Sequence, residues 1–186
     1  MTTEDLFTHF QQRLTAVGGA CALLDSVQAA AAVIESHPAL EARDIVVPPG
    51  FADHPAWGAV VPLLREQGIT IREAGSPASV ADAPAGLSGA ELAVAETGSV
   101  LLAENALAAR VVSMLTLTHF VLVRAADLVP MLDDIGGRLQ QLTRAGADQR
   151  HHITLVSGPS RTADIERTLT IGVQGPKAIV VLIVRS

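Results

Sequence analysis

The sequence is short of the residues that carry most redox and nucleic-acid chemistry. Cysteine occurs once, at Cys21. That excludes an internal disulfide, and a single thiol cannot hold an iron–sulfur cluster or a cysteine-rich zinc site. Beside "ALL", Cys21 reads as a small apolar core residue. Tyrosine is absent, Trp57 is the single tryptophan and aromatics amount to 3%, which argues against a nucleic-acid platform of stacked rings. Positive charge is scarce as well. Thirteen Lys and Arg against 19 Asp and Glu leave a net charge of −6, with no basic stripe to neutralise phosphates. No apolar run approaches the ~20 residues of a membrane span. The first residues, "MTTEDLFTHFQQRL", are amphipathic with early acids and do not read as a signal peptide. The expectation is a soluble cytoplasmic chain with no nucleic-acid partner and no membrane insertion. Neither G-x-G-x-x-G nor G-x-x-x-x-G-K-[ST] occurs, so the common dinucleotide and triphosphate fingerprints are missing.

What is abundant is aliphatic. Hydrophobic residues make up 49% of the 186 and charged ones 17%, a composition that suits one compact α/β domain over residues 1–186. Leu6, Phe7, Phe10, Leu14 and Val17 form one helical stripe closed by Gly18-Gly19, predicting a helix over Thr3–Val17. "ACALL" reads as a strand, "SVQAAAAVIESH" as a helix capped by Ser26, and "DIVVP" as a strand. "HPAWGAVVPLLREQG" reads as a helix that Pro62 must kink or interrupt, and "ITIRE" as a strand. Gly75–Gly86 reads as a flexible loop. This alternation predicts a parallel sheet covered by helices.

The second half reads differently. "ELAVAETGSVLLAEN" is two apolar runs about Thr97-Gly98, a hairpin pattern. His119 to Arg124 reads as a strand. "DLVPMLDDIGGRLQQLTRAG" reads mostly as a helix with Asp127 as its cap and Pro130 in its first turn. "HHITLVSG" and "KAIVVLIVRS" supply the last strands. The predicted fold class is therefore α/β, a mixed but mostly parallel sheet flanked by helices, with its hairpin-bearing part in the C-terminal half.

Candidate chemistry gathers in three glycine-bearing connections. In Glu96-Thr97-Gly98-Ser99, Gly98 either makes a tight turn only, or lets backbone approach a ligand. On the second reading, N–H groups with the Thr97 and Ser99 hydroxyls bind an anion, and Glu96 offers a carboxylate. The run from Gly158 to Glu166 packs Ser160, Arg161, Thr162, Asp164 and Glu166 into one loop. One of Ser160, Thr162 and Asp164 can cap a short helix near Ile165. Arg161 between two hydroxyls is also a clamp for a carboxylate or phosphate. Gly172 to Lys177, with Gly175, follows before the last strand, and three such loops suit a binding crevice. His151-His152 lacks further ligands at matched spacing, so no metal and no cofactor is expected. His119 is a lone candidate acid or base, read more simply as structural.

"AVAETGS", "SGPSRTADIE" and "GVQGPK", in that order, resemble the LUD-domain family, in particular its lactate-utilisation protein C subgroup. The resemblance is good over about residues 88–184 and loose elsewhere. The family typically has His where this chain has Gln174, and favours Thr where it has Ser99. The resemblance implies a fold like that of the sugar-phosphate isomerases and CoA transferases. It also implies a place beside iron–sulfur and other redox subunits that oxidise L-lactate to pyruvate, with any cluster on a partner. On that reading the three loops take a small anionic ligand or a partner surface. The alternative is a stand-alone isomerase or CoA-transferase-like enzyme with Glu96 as base or nucleophile.

Overall fold

The computed structural model describes residues 1–162 and 170–185. Helix α1 (Thr3–Ala16) opens on a capping box: Thr2 Oγ1 accepts from the Asp5 N–H, and the Asp5 carboxylate accepts from the Thr2 N–H. Strand β1 (Ala20–Leu24) follows, then helix α2 (Val27–Glu35), whose N-cap Ser26 accepts from the Ala29 N–H, and strand β2 (Asp44–Val47). Helix α3 (Val60–Glu66) starts later than its pattern predicts. Pro62 falls in its first turn, where no N–H is needed, so it neither kinks nor interrupts the helix. After β3 (Thr70–Glu73), the expected flexible loop contains a short helix, α4 (Pro77–Val80), capped by Ser76 with Pro77 at its first position.

Strand β4 (Ala85–Gly89) leads into the predicted hairpin of β5 (Leu92–Val94) and β6 (Ser99–Ala103). Helix α5 (Leu107–Leu115) and strand β7 (Thr118–Arg124) come next. Beyond them, sequence and structure part company. Asp127 does not cap a helix but pairs with Arg124, and Pro130 follows a short strand, β8 (Leu128–Val129). Only Gly136–Thr143 forms the α-helix, α6. Val129 and Pro130 are drawn off because their carbonyls accept from the Ala95 and Glu96 N–H groups of the hairpin, a tertiary demand that outweighs local helix signals. The chain ends with β9 (Ile153–Val156), the two-residue strands β10 (Arg161–Thr162) and β11 (Thr170–Ile171), and β12 (Ala178–Val184).

Among the described residues, six strands form a sheet in the order β1-β12-β7-β4-β2-β3, with every pairing parallel. The mixed pairing lies in a separate sheet, β8-β5-β6-β9. The inner strands are apolar almost throughout because both faces are covered. Phe120 and Leu122 of β7 and Leu182 of β12 pack with Ala30, Ile34 and Leu64 of α2 and α3. The alternate residues Val121, Val123, Val181 and Ile183 face Phe10 and Leu14 of α1 and Val100 of β6. A parallel sheet has two unlike edges, one where its strands begin and one where they end. That distinction decides which loops meet.

Candidate functional site

The hairpin turn at 95–98 reaches the edge where the parallel strands begin. Gly98 (φ 66°) takes a left-handed conformation that glycine adopts without steric cost. Its close approach is to helix α1: a Cβ there would lie 2.5 Å from the Leu14 nitrogen. Gly158 is pressed against the end of the same helix, where a Cβ would lie 2.7 Å from Val17 Cγ2. Ser99, which is fully buried, and Ser157, which is exposed, share a hydroxyl–hydroxyl hydrogen bond that ties the turn to the next loop.

The third connection closes the cluster. The Ser160 N–H donates to the Pro176 carbonyl, and the Gly172 N–H donates to the Ser160 carbonyl, both at 2.9 Å. A Cβ on Gly175 would lie 2.9 Å from Ser160 Cβ. Arg161 pairs with Ile171 across β10 and β11, and the Lys177 N–H donates to the Leu117 carbonyl at 2.8 Å, just before β7. The structure thus gathers Ser99, Gly158, Ser160, Arg161, Thr162, Gly175 and Lys177 at one edge of the sheet, with Ser99 and Gly158 buried beneath the surface. Arg161 and Lys177 are exposed there, and Ser160 and Thr162 are half-buried. Asp164 and Glu166 lie outside the described residues. Exposed Glu96 sits on the same turn, and its Oε2 accepts from the Leu132 N–H at 2.9 Å. Thr97 Oγ1 is buried without a hydrogen-bond partner.

Two other residues near this edge, His119 and Cys21, are ruled out by their burial. His119 is fully buried in β7 and hydrogen-bonded through Nε2 to Ser88 Oγ at 2.8 Å, and burial pushes its pKa down to about 4, so it is a neutral core residue. Burial also pushes the Cys21 thiol up to about 11, far from the thiolate form that binds metals or attacks. Among the described residues, no group of three or more His, Cys, Asp and Glu is placed to hold a metal. No helix there is long and apolar enough to cross a membrane.

The LUD-domain family profile matches residues 8–184. The chain belongs to the LUD-domain family. Its relatives within the family include Lactate utilization protein C of Bacillus velezensis, 34% identical over 119 residues, which are 63% of this chain and 47% of that protein. Lactate utilization protein C of Bacillus subtilis (strain 168) is 33% identical over 99 residues, 53% of this chain and 41% of that one. This LUD-domain chain therefore matches less than half the length of either relative. A DUF162 family protein from Deinococcus radiodurans, solved by crystallography, superposes with a TM-score of 0.67 at 21% identity, over 99% of both chains. At that identity the likeness concerns the fold.

Sequence reasoning missed a second feature of this LUD domain. At the opposite edge, where β2, β4 and β7 end, a cavity of ≈ 630 Å³ opens between the segments that leave them. Its local signals were Gly50, just past the end of β2, and Gly89, the last residue of β4. Neither carries a recognisable motif.

Proposed function

We propose that this chain is a cytoplasmic, non-redox component of an L-lactate utilisation system. It binds a small anion, or the surface of a redox partner, at the loop region built on Ser160, Arg161, Thr162 and Lys177. The observation that carries this reading is the similarity to proteins named for lactate utilisation. The loop chemistry is compatible with it: an exposed guanidinium and an exposed ammonium beside two hydroxyls suit a carboxylate or phosphate. The oxidation of lactate to pyruvate releases two electrons, which one inert thiol cannot accept. On this reading the iron–sulfur and other redox centres belong to partner subunits.

The test is recovery of partners from the native host at native expression, followed by lactate oxidation with and without the chain. The expected result is co-purification of an iron–sulfur subunit and loss of lactate-dependent reduction when the chain is omitted. Full activity in its absence overturns the reading. Glu96→Gln addresses the stand-alone enzyme, for which the carboxylate oriented by the Leu132 N–H is the specific support. If the purified chain converts a substrate alone and this variant does not, the enzyme reading displaces the accessory one.

A further inference from the structure

The carboxyl-end cavity has the size of a small-molecule site and lies where open parallel sheets take ligands, at the point where connections leave in opposite directions. Its walls discriminate between ligand charges. They carry five carboxylates against three guanidiniums. Two of the arginines are neutralised in place: Arg138 pairs with Glu91, and Arg124 Nε donates to Asp127 Oδ2 at 2.5 Å. His54 Nδ1 accepts from the Ala56 and Trp57 N–H groups, each at 3.2 Å, which favours the neutral ring. The lining thus retains an excess of negative charge, which disfavours a carboxylate or phosphate ligand.

Two polar groups make no hydrogen bond among the described residues, although the Arg150 charge acts on the Glu104 carboxylate. Arg138 Nε is buried with no acceptor. The half-buried Glu104 carboxyl makes no hydrogen bond among the described residues, and burial raises its pKa above the ordinary carboxylate value. A bound molecule that offers an acceptor beside Arg138 and a donor to Glu104 complements both side chains. Hydroxyl groups do both.

We propose that this cavity binds a small uncharged molecule with adjacent hydroxyl groups, of the polyol or sugar class. Trp57 and Leu142 supply apolar surface for its carbon faces. The proposal is independent of the lactate reading, which concerns the opposite edge of the sheet.

The sequence provides its own reporter, because Trp57 is the single tryptophan, tyrosine is absent, and the indole lines this cavity. The purified chain is titrated with D-ribose, myo-inositol, L-serine, L-lactate and inorganic phosphate, following Trp57 emission. The expected result is a saturable change with D-ribose or myo-inositol and none with zwitterionic L-serine or with the L-lactate and phosphate anions. Arg138→Lys keeps the charge opposite Glu91 but removes the Nε–H, and Glu104→Ala removes the acceptor. Each is expected to weaken binding by about tenfold or more, the scale of a hydrogen bond to a charged group. Circular dichroism confirms that each variant is folded, and either variant alone suffices. The proposal is overturned if neither uncharged probe saturates below about 50 mM, a generous bound for a specific site. It is equally overturned if the folded variants bind as tightly as the parent, or if L-serine, L-lactate or phosphate saturates in place of the polyols.

Discussion

Arg161 and His119 sit at opposite extremes of burial, and their expected behaviour follows from it. Arg161 is exposed, so Arg161→Ala is expected to shift stability by less than ~0.5 kcal/mol, the usual range for surface sites. Losing a charge-assisted contact to a carboxylate is worth about 1.5–3 kcal/mol, roughly a 10- to 150-fold loss of affinity. Thermal melting and lactate-oxidation assays of the reconstituted system separate the outcomes. Normal stability with lost function supports the clamp, whereas a strongly lowered melting temperature makes Arg161 structural. His119 has the opposite logic. Its pKa falls from 6.5 to about 4 on folding, so the native state binds fewer protons than the unfolded chain between those values. Its contribution is complete above about pH 6.5 and is lost as pH falls toward 4, by an amount on the order of 3 kcal/mol. Urea midpoints for the parent and His119→Gln are expected to converge as pH drops from about 7.5 to 4.5. Parallel curves would show that His119 does not titrate in this range.

At the scale of elements, the contact that matters is between hairpin and helix. Gly98 combines a positive φ with a backbone 2.5 Å from where its Cβ would lie. Gly68 has φ 78° and nothing within 4 Å of the same position. Gly68→Ala is therefore expected to cost only backbone strain, about 1–2 kcal/mol. Gly98→Ala adds a clash with helix α1 that no side-chain rotation relieves, and about 1–3 kcal/mol beyond the strain is expected. Denaturant unfolding of both variants measures the difference, and equal losses would show that the hairpin need not seat on α1. The same packing accounts for one departure from the sequence pattern. "DLVP" carries helix signals, yet β8 forms because the β5–β6 turn has N–H groups to satisfy.

At the scale of the whole molecule, two separate polar regions lie at opposite edges of one parallel sheet. The amino-end region holds the described residues of the three glycine-bearing loops, and the carboxyl-end region holds the cavity. If the chain contributes binding and its partners contribute electrons, the purified chain is expected to show no visible absorption band and no stoichiometric iron or zinc. Absorption spectroscopy and elemental analysis check this. A bound flavin or cluster would move the redox chemistry onto this chain and overturn the accessory role.

Much of this architecture was legible because it is decided locally. The stripe of Phe10 and Leu14, the caps at Ser26 and the aliphatic runs of β7 and β12 each announce their element within a few residues, since burial and backbone geometry impose periods of 3.6 and 2. The turn at Thr97-Gly98 is readable for the same reason. The polar loops could be chosen as candidates, because Arg161, Ser160 and Lys177 are unusual company in so apolar a chain. Whether those loops meet could not be read, because Ser99 finds Ser157, and Ser160 finds Pro176 and Gly172, only after the intervening strands have packed. The same holds for Gly98 and Gly158, whose tight approach is to α1, and for the cavity, which is made by segments following β2, β4, β6 and β7 together. Local propensity thus determined most of the elements, β8 being an exception; contacts between residues far apart in the chain decided which edge of the sheet each loop serves.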